Sequence, residues 1–178
     1  MTFLEKLHEA KDIFFPTEDK INEDKGREFE RYIGAIFASH RDYFTILEWT
    51  NDVHDKRRGI TVESNKNPDL LIQYKPVKEK FAVECKYRSG LYKSNKIDDY
   101  VLRWTYPAQL ERYREYERRN KIPVFIVVGL HGKPSDPEFC FCIPLQKAKY
   151  VELFPSILDK YVREPKNKKF FWKNGTLT

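Results

Sequence analysis

Residues 68–87 read PDLLIQYKPVKEKFAVECKY. Two runs rich in apolar and aromatic residues, Asp69 to Tyr74 (DLLIQY) and Lys80 to Tyr87 (KFAVECKY), flank KPVKE, whose proline and charges suit a turn; the stretch predicts an antiparallel hairpin. Side chains alternate along a strand, so Phe81, Val83, Cys85 and Tyr87 share one face and Ala82, Glu84, Lys86 and Arg88 the other. An acid and a lysine therefore project side by side from an otherwise apolar strand. Pairing Tyr74 with Phe81 puts Leu71 opposite Glu84 and Asp69 opposite Lys86, which leaves Asp69 diagonal to Glu84 on one face. Two such carboxylates repel unless a cation lies between them, and hard oxygen donors suit Mg²⁺ or Mn²⁺. An E-x-K taken by itself is more commonly an exposed cross-strand ion pair, so the weight falls on what surrounds it.

Upstream, Tyr43 to Trp49 (YFTILEW) is aromatic and β-branched and predicts a strand, separated from the hairpin by a polar stretch. Before it, Glu23 to Ser39 carries Phe29, Ile33, Ile36 and Phe37 at helical spacing with acids in the first turn, the strongest helix signal in the chain. A short accessory helix is expected over residues 3–15, ending before Pro16. Downstream, residues 89–102 form an insert with no motif, a candidate segment for substrate selection. Arg103 to Asn120 predicts a second helix, and Pro107, tolerable only in the first turn, marks its start near Tyr106. Ile122 to Leu130 (IPVFIVVGL) is a continuous apolar run expected of a strand covered on both faces, and Glu138 to Ile143 (EFCFCI) is a further strand. A helix around Lys147 to Leu158 and a basic tail close the chain. Helix, three strands, helix, two strands implies a mixed sheet with helices against it, an α/β (α+β) fold, read as one domain over 1–178 with its core at about 23–143 and a C-terminal part at 145–178.

The chain has 178 residues, 40% of them hydrophobic and 15% aromatic, enough apolar material to bury a sizeable core despite 34% charge. A net charge of +6 and a pI near 9.1 suit a polyanionic partner, although many basic proteins bind none. The opening MTFLEKLHEAKDIFF mixes acids with apolar residues and does not fit a signal peptide, and no run approaches the roughly 20 apolar residues of a membrane-spanning helix. With three cysteines, an odd count, reduced thiols are expected; the expectation is a cytoplasmic protein with no membrane contact. Cys140 and Cys142 with His131 lack the two-to-four-residue spacing usual for zinc ligands and read as apolar strand residues. No serine sits in a nucleophile motif and no Gly-rich phosphate loop occurs, which disfavours serine hydrolases and nucleotide-hydrolysing enzymes.

Pro68-Asp69, then fourteen residues, then Glu84-Cys85-Lys86 resembles the PD-(D/E)xK signature of restriction-endonuclease-like and Holliday-junction-resolvase-like nucleases. GREFERYIGAIF, residues 26–37, is similar to that family's first helix, where a glutamate after a glycine and an apolar residue reaches the metal site. The match selects Glu30 over Glu28, which points about 160° away around the helix. Gln109 and Tyr113 are similar to the Q-xxx-Y pattern of the exonuclease-like and RecB-like branches, which places the resemblance in a RecB-like or Mrr-like branch, and their i, i+4 spacing puts them on one helical face. The short motifs occur in the family's order across roughly residues 25–130.

The resemblance implies a restriction-endonuclease-like core of αβββαββ order and phosphodiester hydrolysis of DNA. It implies Mg²⁺, with Mn²⁺ as a substitute, held by Asp69, Glu84, the backbone carbonyl of Cys85 and Glu30, directly or through water. Lys86 would orient or deprotonate the attacking water and Gln109 would complete the catalytic set. Tyr113, with the basic residues Arg57, Arg58, Arg88 and Arg112, would hold substrate. A resolvase-like or restriction-like role would imply a homodimer. Two other readings use the same residues: an RNA-directed nuclease, and a catalytically inactive nucleic-acid-binding or scaffold protein on the same fold.

Overall fold

The computed structural model describes residues 23–50, 67–94 and 99–178. The expected accessory helix at 3–15 and the basic pair Arg57 and Arg58 lie outside the described residues.

Helix α1 spans Glu23–Ala38, and its stripe of Phe29, Ile33 and Phe37 is fully buried. Strands β1 (Phe44–Trp49), β2 (Leu70–Tyr74) and β3 (Glu79–Arg88) follow as an antiparallel meander. Two short strands, β4 (Tyr92–Lys93) and β5 (Tyr100–Arg103), lead into helix α2 (Pro107–Asn120), which starts behind an extended Tyr106 with Pro107 in its first turn, as the sequence predicts. Strands β6 (Val124–Lys133) and β7 (Asp136–Pro144) form a second long hairpin. The five-stranded sheet has the order β1-β2-β3-β6-β7, with β3 and β6 parallel and the other pairs antiparallel. This parallel pair is possible because α2 lies in the crossover between its strands.

The sheet is covered on both faces. On one, Phe29, Ile33 and Phe37 of α1 pack against Leu70, Ile72, Phe81, Val83 and Val127. On the other, Leu110, Tyr113 and Tyr116 of α2 pack against Ala82, Ile126 and Val128. Burial of each large apolar side chain contributes about 1.5–3 kcal/mol, so both layers hold the central strand β3. Gly129 lets α1 approach closely: a Cβ there would lie 2.5 Å from the Phe29 ring. No described helix is long and apolar enough to cross a membrane.

Two expectations are corrected, and the tail gains a structure. The β2-β3 hairpin pairs Tyr74 with Glu79, not Phe81. Lys78 adopts a left-handed backbone (φ 58°) and its N–H reaches the Lys75 carbonyl at 3.3 Å, closing a loop two residues tighter. A slip of two keeps every side chain on its face, and it brings Asp69, one residue before Leu70↔Val83, opposite Glu84. The long C-terminal helix does not form. Glu152–Leu153 is instead a strand, β8, antiparallel to β5, and only the turn Pro155–Leu158 (α3) and a 3-10 turn at Asp159–Tyr161 are helical, because Pro155 can start a helix but not continue one. Finally, the basic tail folds back as the hairpin β9 (Trp172–Lys173) and β10 (Thr176–Leu177), turned by Asn174 and Gly175, both at positive φ. Phe170 stacks on Phe37 at 4.2 Å and Trp172 on Phe81 at 4.6 Å, so the tail seals the α1-side core.

Candidate active site

Strand β3 aims Phe81, Val83 and Cys85 into the α1-side core and Glu84 to the α2 side, where it is 2% exposed. Its Oε1 accepts from the Lys86 ammonium at 2.5 Å and from the Tyr113 hydroxyl, while its Oε2 is buried with no partner. Asp69, at the mouth of β2, is half-buried and fixed at both ends. Its Oδ2 accepts from the Cys85 N–H at 2.7 Å, and its carbonyl accepts from the Thr50 N–H at 2.8 Å. The Thr50 hydroxyl donates to the Pro68 carbonyl at 3.1 Å. The end of β1 thus clamps Pro68-Asp69 against the sheet.

Burial raises the Asp69 carboxyl well above the usual carboxylate range, and the neighbouring Glu84 raises it further; Lys86 and the Cys85 N–H oppose the shift. For Lys86, burial pulls the ammonium down, but Glu84 and Asp69 outweigh it and the net shift is upward, so the lysine is charged at neutral pH. The Tyr113 hydroxyl stands well above its ordinary value through burial and then Glu84 and Asp69, which keeps it a donor. A buried carboxylate oxygen without a partner beside a second, destabilised carboxylate is a donor set that a hard divalent cation would satisfy. Among the described residues, no three His, Cys, Asp or Glu side chains converge as a metal cluster, so a cation here would draw on backbone or water as well. The Cys85 thiol faces the core, raised by burial and by Asp69, which leaves its carbonyl as the group it can offer.

Glu30 approaches from the other layer. It lies half-buried on α1, close enough for its charge to act on Asp69, and its Oε1 accepts from the Trp49 indole N–H. Glu28 is exposed. Gln109 is half-buried one turn before Tyr113, its Oε1 accepting from the Thr105 hydroxyl at 2.7 Å. Arg112 is exposed on α2. Tyr113 is 3% exposed and lies behind Glu84. Arg88 donates to the carbonyls of Tyr87, Arg103 and Trp104 at 2.5 to 2.7 Å, which ties the end of β3 to β5. Thr50 and Thr105, which hold Asp69 and Gln109, carry no motif in the sequence, and Trp49 stands out there only as an aromatic among basic residues, not as a partner of Glu30. His131 packs against Phe139 on the α2 side while Cys140 and Cys142 lie in the α1-side core, so these three do not meet.

The backbone has a solved counterpart. Hjc, a Holliday junction resolvase from the archaeal hyperthermophile Archaeoglobus fulgidus, matches with a TM-score of 0.50 over 78% of this chain and 96% of its own, at 14% identity. The fold is restriction-endonuclease-like. At that identity the likeness lies in the course of the backbone, so the roles of side chains in this restriction-endonuclease-like core are argued from their own geometry. No family model matches the sequence, and no curated protein does.

Proposed function

We propose that this protein is a metal-dependent nuclease that hydrolyses phosphodiester bonds in DNA. The observation that carries the reading is the meeting of Asp69 and Glu84 on one face of the sheet, with Lys86 on one Glu84 oxygen and the other oxygen without a partner. Asp69, Glu84 and the Cys85 carbonyl would hold Mg²⁺, with Mn²⁺ as substitute, and Glu30 would reach the ion through water. When bound, such an ion acidifies water and offsets charge on the phosphate.

Lys86, whose ammonium meets a Glu84 oxygen, would orient or deprotonate the attacking water and stabilise charge on the phosphate oxygens. Tyr113 positions Glu84 and Arg88 positions the end of β3, while Gln109, held by Thr105, faces substrate with Arg112. The net charge of +6 supports a polyanionic substrate, and the fold shared with a Holliday junction resolvase favours DNA and a homodimer.

The test is cleavage of plasmid, single-stranded and junction DNA, and of RNA, with Mg²⁺, Mn²⁺ or EDTA. Asp69→Ala and Glu84→Ala are each expected to lower cleavage by at least about 100-fold with an unchanged circular dichroism spectrum. Wild-type rates in both variants would refute the reading, and DNA binding without any cleavage would leave a binding protein on this fold.

A further inference from the structure

The end of strand β1 does two jobs. Thr50 fixes the backbone of Asp69, and Trp49, paired with Leu70, sends its indole across to α1, where the N–H donates to Glu30. Trp49 is 37% exposed at the end of an edge strand. Its seat is Gly34. A Cβ at Gly34 would lie 2.3 Å from the Cη2 atom of the indole, so the ring rests on bare helix backbone where any other residue would displace it. Glu30 and Gly34 are four residues apart and share one helical face, so the ring lies on Gly34 while its N–H meets the carboxylate.

Glu30 is on the opposite side of the sheet from Glu84, and its charge nonetheless acts on both Asp69 and the Cys85 thiol. A long acid reaching round a sheet edge has several rotamers, and only some present an oxygen toward Asp69. We infer that Trp49 is a positioning residue: seated in the Gly34 notch, it selects the Glu30 rotamer that presents the carboxylate to the cation. This rests on the nuclease reading of the same site. Groups that orient a metal ligand from behind typically change metal affinity by about 10 to 100-fold when removed.

The experiment is calorimetric titration of Mg²⁺ and Mn²⁺ into the full chain, with melting temperatures of the same samples. Trp49→Phe keeps an aromatic side chain but removes both the indole N–H and the part of the ring that rests on Gly34, and is expected to weaken metal binding about 10-fold. Gly34→Ala, which displaces the ring and leaves its N–H intact, should weaken it similarly. In a Glu30→Gln background, Trp49→Phe should have no further effect, because the two act as one unit. Wild-type affinity in Trp49→Phe, or additive losses in the double variant, would overturn the inference while leaving the metal site standing. A wild type that binds neither cation would overturn both it and the nuclease reading.

Discussion

Replacing Asp69 by Asn should make the metal-free protein more stable. Asp69 lies opposite Glu84, so their Cβ atoms are about 5 Å apart, and two like charges at that distance repel by roughly 3 kcal/mol at an effective dielectric constant near 20. Lys86 sits diagonal to Asp69 at about 7 to 8 Å, where attraction returns about 2 kcal/mol by the same relation. The burial that raises the Asp69 carboxyl adds to the cost, and Glu30 adds to the repulsion. Asparagine keeps an oxygen for the Cys85 N–H and removes the charge, so the net expectation is a gain of about 1 to 2 kcal/mol, or roughly 2 to 8 °C in Tm for a chain of this size.

The assay is thermal unfolding of both proteins in EDTA and again in Mg²⁺. Metal should raise the wild type and leave Asp69→Asn nearly unmoved, so the order reverses or the gap closes. The pH dependence has a definite sign. A folded carboxyl raised above its unfolded value near 4 holds its proton longer in the folded state, so the stability it contributes is present below about pH 4 and lost as pH rises through the folded value. The advantage of Asp69→Asn should therefore be absent at low pH and grow towards neutrality. A variant less stable than wild type by more than about 1 kcal/mol in EDTA at neutral pH would refute the reasoning, because Asp69, Glu84 and Lys86 would then be a self-sufficient ion cluster.

Tyr113→Phe should lower Mg²⁺ affinity by about 10 to 100-fold and leave KM for DNA nearly unchanged, measured by calorimetry and steady-state cleavage; the opposite pattern would return Tyr113 to substrate contact. The three thiols are buried, with Cys140 pushed up to about 11 and Cys142 up to about 12 by burial, so a colorimetric thiol reagent at pH 8 should label none in the native protein and all three in denaturant.

What the sequence reveals is what local periodicity carries. The stripe Phe29, Ile33, Phe37 and the apolar run of β6 announce their elements without help from distant residues. The C-terminal segment does not, because β8 forms by pairing Glu152 and Leu153 with Arg103 and Leu102, about fifty residues earlier in the chain. Asn174-Gly175 is different: it is a strong hairpin signal, but the flanking strands are two residues long and lie among lysines, so the charge of the tail masks it. The Trp49 to Glu30 hydrogen bond joins an edge strand to a helix and has no local signature.

The hairpin register carries the most chemical consequence. Alternation fixes which residues share a face, and a slip of two leaves that untouched, so Asp69, Glu84 and Lys86 fall together under either register. The slip changes distance. Diagonal placement would put the carboxylates about 7 to 8 Å apart, and direct opposition brings their Cβ atoms to about 5 Å. At the longer separation the repulsion falls to about 2 kcal/mol, and Lys86, then opposite Asp69, would balance both acids. At the shorter one Lys86 meets a single Glu84 oxygen, Glu84 Oε2 is left without a partner, and burial and Glu84 together raise the Asp69 carboxyl. The tight turn at Lys78 closes the register that sets Asp69 beside Glu84 rather than beside Lys86.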